Sequence, residues 1–334
     1  MRRTRRAVTS LAAGALLLTL ASCGQDSSTE PEMAVSSPAG EPTARSTERD
    51  PLADAVEDLA KNLPVPTVDE SQLGAPTDAP TIDYEVDYGL TDPTYGADIS
   101  WPQCGKGVGP IKERQGLGMP MPLPEWKFVV IGLTNGPAMT RNPCLAEQLA
   151  WAKQTDVLVS TYAVATYPSA EQLAKYGDQG PYDSSTQEGK LSNWGYAQGI
   201  FNLTTLYELQ IPVPGVWIDV EPVPSPPLVA WSKDTDANAA VVRGIARAYR
   251  ENDYRVGVYS TPNLWRTVVG NLRLGVPEWR AAGQTSEQEA VKRCRGESIQ
   301  GGEAVLGQWV EDRRDRNVTC PFQVGQLSHW FVQL

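Results

Sequence analysis

The sequence predicts an α/β fold, a closed (β/α)8 TIM-like barrel. Three observations carry that expectation. From residue 95 onward, short apolar runs alternate with stretches of helical periodicity, the order of a parallel sheet with crossover helices. Residues 95–334 make up about 240 residues, close to the ~250 of one such barrel. A dinucleotide-binding, doubly wound sheet would place G-x-G-x-x-G at its first strand-to-helix turn. Gly105-Lys-Gly-Val-Gly109 has the wrong spacing for that, and no G-K-[ST] follows it.

The elements follow in chain order. Ala97–Ser100 reads as the end of a first strand and Phe128–Gly132 as a second. Asn142-Pro143 reads as an N-cap with proline at the first helical position, leading a helix over Cys144–Lys153. Val157–Tyr162 is a third strand, followed by a polar insertion from Pro168 to about Leu191. A helix is expected over 193–209, a fourth strand over Gly215–Glu221 and a helix over Asp236–Asn252 with Val242, Ile245, Ala246 and Tyr249 on its apolar face. Arg255–Tyr259, Glu278–Ala282 and Ala304–Val310 are later strands.

The N-terminal third has a different character. Four arginines fall in the first six residues, and Ala7–Ala21 is an apolar run of signal-peptide length, too short to span a membrane comfortably. It ends in Leu20-Ala21-Ser22-Cys23, which resembles a bacterial lipobox. Residues 1–22 are therefore expected to be a lipoprotein signal peptide. Cys23 would carry the lipid that anchors the chain to the outer face of the bacterial cell membrane, an extracytoplasmic position. Residues 23–94 are rich in Ser, Thr, Pro and acidic side chains and poor in aromatics, so they are expected to form a disordered tether. Only Pro51–Leu63 has helical spacing, read as a transient helix. Residues 95–334 are the barrel domain.

Charge narrows the function. The chain carries a net −11. Residues 24–94 hold 16 acidic and 3 basic side chains, and residues 95–334 hold 24 and 22, so the negative charge belongs to the tether. No polyanion-binding face is implied, and nucleic acid is not an expected partner. The single histidine, His329, excludes histidine-rich zinc sites and most histidine-dependent triads. It neighbours Ser328, but adjacent side chains on a strand face opposite ways. Apart from Cys23, four cysteines remain, an even number in an exported chain, which reads as two disulfides. Three pairings are possible; the near neighbours Cys104–Cys144 and Cys294–Cys320 are favoured. No C-x-x-C spacing points to a metal, and no cofactor is expected.

The chemistry concentrates at Trp217-Ile-Asp-Val-Glu221. On a strand Trp217, Asp219 and Glu221 share one face, and Ile218 and Val220 the other. In a barrel the carboxyls then face inward near the C-terminal end of a strand, where barrel active sites lie. Two neighbouring buried carboxyls repel when ionised, so one keeps its proton. A glycosidase needs that arrangement: one acid for the leaving oxygen and one anion for developing positive charge.

Several ordered motifs resemble a known group. Tyr95-Gly-Ala-Asp-Ile-Ser-Trp-Pro-Gln-Cys104 is similar to the opening of family 25 glycoside hydrolases, the cell-wall muramidases, and more closely to secreted bacterial glycoside-hydrolase-like barrels. Asn142–Ala152, Trp217–Glu221, Arg255–Trp265 and Gly301–Cys320 match further motifs of that group, so the resemblance spans 95–320. It implies a glycosidase-type barrel with Glu221 as general acid and Asp219 stabilising the substrate N-acetyl group. Asp98 would be a third interior carboxyl, and Tyr162, Trp217, Tyr259 and Gln308 would line the sugar cleft. Asp98 would otherwise cap a turn, Tyr162 and Tyr259 would otherwise be core tyrosines, and Trp101 is expected to pack beside the Cys104 disulfide. Two departures stand out. Asn135 replaces the acid those muramidases usually carry near the end of strand two. No V-D-x-N segment ends the chain, leaving Asp312 or Asp315 as the replacement acid.

The expected function is hydrolysis of peptidoglycan or a related cell-envelope glycan by a monomer held to the membrane through Cys23. The alternative is an inactive, glycan-binding or envelope-organising barrel. Asn202-Leu-Thr204 and Asn317-Val-Thr319 match glycosylation sequons, which a bacterial lipobox argues against using.

Overall fold

The computed structural model describes residues 86–334, except residue 224. The expectations for the signal peptide, for lipidation at Cys23, for the tether up to residue 85 and for a helix over Pro51–Leu63 lie outside the described residues. Eight strands close into one barrel in sequence order. They are β1 (Tyr95–Ile99), β2 (Phe128–Gly132), β3 (Leu158–Val164), β4 (Gly215–Asp219), β5 (Arg255–Ser260), β6 (Glu278–Ala281), β7 (Ala304–Glu311) and β8 (Arg314–Thr319). Strands β1 to β7 run parallel. β8 is antiparallel to both β7 and β1, because a two-residue turn at Asp312-Arg313 replaces a crossover helix. Both turn residues have positive φ, 51° and 62°, the backbone of a tight hairpin that matches strand twist.

Among the described residues, six helices surround the barrel: α1 (Leu145–Thr155), α2 (Ala170–Tyr176), α3 (Gln187–Glu208), α4 (Thr235–Glu251), α5 (Pro262–Val269) and α6 (Glu287–Cys294). Short polar side chains start several of them. Asp234 accepts from Asp236 N and Ala237 N ahead of α4, and Thr261 accepts from Leu264 N ahead of α5, where Pro262 supplies a preset φ. The polar insertion expected over 168–191 contains α2, which a reciprocal Ser169/Gln172 cap begins. Asn142 does not cap α1. Its Nδ2 donates to Gly132 O and Gln148 Oε1, tying the end of β2 to the helix, and Cys144 takes the cap position.

Alternation along each strand divides the core in two. Val129, Ile131, Val159, Val216, Ile218 and Val258 face outward and pack under helix residues such as Trp194, Val241, Ile245 and Trp265. Phe128, Val130, Trp217, Trp279 and Leu306 fill the interior, joined from below by Trp330 and Phe331 of the C-terminal segment. The rings of Trp217 and Trp330 lie 4.1 Å apart between centroids. Gly257 on β5 makes room for them: a Cβ there would come within 2.2 Å of the Trp217 ring. The barrel is thus a packed core with its free space at the mouth.

Two disulfides, Cys104–Cys144 and Cys294–Cys320, pin the loop after β1 to the start of α1 and the end of α6 to the end of β8. Residues 86–94, which composition assigns to the tether, pack on the base of the barrel. Tyr88 donates to Phe331 O, and Asp92 accepts from Thr319 Oγ1 and from Phe322 N. One aromatic hydroxyl and one carboxylate fix this segment where composition alone reads loose chain. Neither sequon asparagine is a surface site. Asn202 is buried in α3 and donates to Tyr249 Oη, and Asn317 points into the barrel.

Candidate active site

The carboxyl ends of the parallel strands, with the start of antiparallel β8, bring four carboxyl groups to one mouth. Asp98 comes from β1, Asp219 from the last position of β4, Glu221 from just beyond it and Asp315 from β8. Asp98 and Asp315 are directly opposed in register. The sequence left Asp312 and Asp315 as alternatives. Asp315 occupies the mouth, and Asp312 lies in the hairpin turn, paired with Arg316.

A hydrogen-bonded chain fixes Asp98. Tyr259 Oη donates to Gln308 Oε1, and Trp279 Nε1 donates to Asn317 Oδ1. With their oxygens occupied, the two amides turn their nitrogens to Asp98 Oδ1, at 3.1 Å from Gln308 and 2.7 Å from Asn317. Asp98 is therefore an interior carboxyl and not a turn cap. Gln308 is bonded to Asp98 and Tyr259 to Gln308, and neither of the two lines the cleft at the mouth.

Asp219 is 7% exposed, and its Oδ1 has no hydrogen-bond partner. Glu221 is half-buried, with no ion pair among the described residues. Burial raises the proton affinity of all four carboxyls, and neighbouring carboxyls add to it for three of them. Burial pushes Asp98 and Asp219 well above the usual carboxylate range; Asp315 adds to Asp98, and Glu221 and Asp98 add to Asp219. Burial and then Asp315 push Glu221 up. Burial lifts Asp315 to about 6. The cluster therefore holds its protons to higher pH than isolated carboxyls do.

The cleft above them has a volume of about 170 Å³ and is lined by Ser100, Trp101, Arg114, Thr134, Tyr162, Asp219 and Glu221, among others. Tyr162 thus lines the cleft as expected of it. Trp217 does not: it is fully buried beneath Asp219, bonded to Ser160 Oγ and packed on Trp279 and Trp330. Its place on the carboxyl face of β4 is real, but one layer lower, where a ring fills the interior. Asn135 is fully buried, and its side-chain amide has no partner.

Sequence reasoning missed Arg114, Asn317 and Trp279 and left Asp315 open. Arg114 sits in the short turn Lys112–Arg114 of the loop after β1. Its guanidinium lies over the Trp101 ring, 4.7 Å from the centroid, and its Nε donates to Asn135 O. Trp101, expected beside the disulfide, is thereby the platform for this cation. No periodicity marks a single arginine in a loop. Asp315 and Asn317 did leave a signal: Asp315, Asn317 and Thr319 alternate with Arg314 and Arg316 after a turn.

The fold is a closed α/β barrel with carboxyls gathered at the strand ends. Within the chain, residues 186–291, from α3 into α6, match the family model described as Lysozyme-like protein 1, a stretch that includes Asp219 and Glu221. No curated protein matches the chain. Among solved structures, the muramidase from Acremonium alcalophilum is 14% identical with a TM-score of 0.45, over 71% of this chain and 99% of that one. The bacterial lysozyme from Streptomyces coelicolor is 15% identical with a TM-score of 0.45, over 71% and 97%. The modular autolysin LytC from Streptococcus pneumoniae is 11% identical with a TM-score of 0.40, over 68% and 46%, so this chain spans less than half of that protein.

Proposed function

We propose that the cleft hydrolyses a glycosidic bond of peptidoglycan or a related cell-envelope glycan. The observation that carries this reading is the placement of Glu221, a carboxyl with no ion pair among the described residues, at the cleft two residues from Asp219 and its unpartnered oxygen, with burial raising its proton affinity. Glu221 donates its proton to the glycosidic oxygen as the C1–O bond breaks. Asp219, as a carboxylate, accepts the N–H of the sugar's acetamido group and offsets the positive charge that develops near C1. Water then adds at C1 and returns a proton to the site. The lysozyme-like match over 186–291 supports the same reading. The basic N-terminus and the Leu-Ala-Ser-Cys23 run support an extracytoplasmic, lipid-anchored position, with residues 1–22 as signal peptide and the segment from Cys23 as tether.

The test is incubation of the full chain, wild type and Glu221→Gln, with purified peptidoglycan, reading new reducing ends by mass spectrometry. Wild type is expected to release fragments, and Glu221→Gln to release them at least ~100-fold more slowly, the usual loss on removing a general acid. If neither releases fragments while both still pellet with the glycan, the hydrolase reading fails and the barrel is a glycan-binding module.

A further inference from the structure

We propose that Arg114 is a positioning residue: a cation stacked on Trp101 in the same cleft as Asp219, held so that it does not occupy the oxygen a substrate needs. This inference rests on the hydrolase reading for its purpose but not for its test.

The geometry has two parts. The first is how firmly Arg114 is held. Its guanidinium is stacked on Trp101, its Nε is bonded to Asn135 O, and Gly136 leaves room beside it. A Cβ at Gly136 would lie 2.4 Å from Arg114 Cζ and displace the guanidinium, and the φ of 99° at Gly136 favours glycine there. The backbone turn that carries Arg114 is tied down by Gly116 N to Val108 O and Gly107 N to Gly116 O, and the Cys104–Cys144 disulfide anchors the loop at its start.

The second part is what Arg114 does not do. It lines the same cleft as Asp219 and Glu221, yet it forms no ion pair with a carboxylate among the described residues. Asp219 Oδ1 is left without a partner. A direct ion pair would consume that oxygen. A cation held back from it acts through space and leaves the oxygen open to a substrate N–H.

Burial and two carboxyls, Glu221 beyond β4 and Asp98 from β1, resist the ionisation of Asp219, and the hydroxyls of Tyr162 from β3 and Tyr259 from β5 lie within its field. Among these neighbours Arg114 alone favours the anion, and it opposes the upward push of burial, Glu221 and Asp98. The attraction is mutual, since Tyr162 and Asp219 favour the charged guanidinium against the loss of solvent around it. Glu221 lacks such a counter-charge. Arg114 thus lowers the proton affinity of one carboxyl of the pair and not of the other, against an upward push on both.

The experiment is a pH titration of the full chain with carboxyl-labelled aspartate, followed by NMR, in wild type, Arg114→Met, Arg114→Gln and Arg114→Lys. The Asp219 signal is assigned by its loss in Asp219→Asn. Arg114→Met keeps an unbranched side chain to lie on Trp101, so a folded neutral variant is available if Arg114→Gln unfolds. The Asp219 midpoint is expected to rise by about one pH unit in the neutral variants, a tenfold change in proton affinity, and by less in Arg114→Lys. The Asp315 midpoint serves as the internal check that the cleft is intact. An Asp219 midpoint unchanged in Arg114→Met, with the Asp315 midpoint also unchanged, overturns the proposal. So does a shift as large in Arg114→Lys as in Arg114→Met, because that would make packing, not charge, the cause. No substrate enters this titration, so failure of glycan hydrolysis in wild type would sink the reading of the cleft and leave this result standing.

Discussion

Asp315 shows how a single residue bears on both stability and site. It faces Asp98 across the β1–β8 ladder, and burial lifts it from 3.8 in the open chain to about 6 in the barrel. The folded state therefore binds a proton that the unfolded state has released across that window. Stability from this group is fully present below about pH 4 and declines as pH rises to about 6. Asp315→Asn is expected to be more stable than wild type by on the order of 2 kcal/mol at pH 7.5, and no more stable at pH 3.5, in urea unfolding at both pH values. An advantage that persists at pH 3.5 would contradict this. At this scale the sequence was partly legible. Asp98, Asp219 and Glu221 could be placed on one interior face because strand alternation is a strict period of two. Arg114 could not, because its position depends on a stack with Trp101 and a bond to Asn135 O, and neither leaves a periodic trace.

Among elements, β7 and β8 form the hairpin that carries the fourth carboxyl. Their turn, Asp312-Arg313, holds two non-glycine residues at positive φ, a conformation that costs an L-residue about 1–2 kcal/mol. Arg313→Gly is expected to relieve about 1 kcal/mol, raising Tm by about 2–4 °C in a thermal melt while glycan turnover stays at the wild-type rate. A lower Tm would mean that the Arg313 side chain contributes more than its backbone costs. This turn also explains why β8 was hard to read. Hairpin recognition leans on Asn-Gly or Asp-Gly, and Arg314-Asp-Arg-Asn-Val-Thr319 has few apolar residues because its inward face serves the carboxyl cluster. β2 was legible because Phe128–Gly132 is buried on both faces. α5 and α6, of eight residues each, are too short for periodicity to separate them from loops.

Across the whole molecule, the two disulfides close segments of similar size, 40 and 26 residues apart, but they serve different ends of the barrel. Each contributes about 3–4 kcal/mol by restricting the unfolded chain. The double variants Cys104→Ser/Cys144→Ser and Cys294→Ser/Cys320→Ser are expected to lose similar amounts of stability in denaturant unfolding. Only the first should also lose glycan turnover, because its loop carries Trp101 and Arg114 into the cleft. Equal turnover in the two would show that the loop holds its shape without its anchor.

The base of the barrel has a mechanical consequence. The chain enters beside the N-terminal end of β1, where Tyr88 and Asp92 are fastened to Phe331, Thr319 and Phe322. Tension arriving through residue 86 meets these bonds first and passes into the floor of Trp330 and Phe331. The carboxyl cluster sits at the far rim, a strand length away. A pull on the chain from upstream would thus be borne by the floor, and the spacing between Asp219 and Glu221 would stay the same under load.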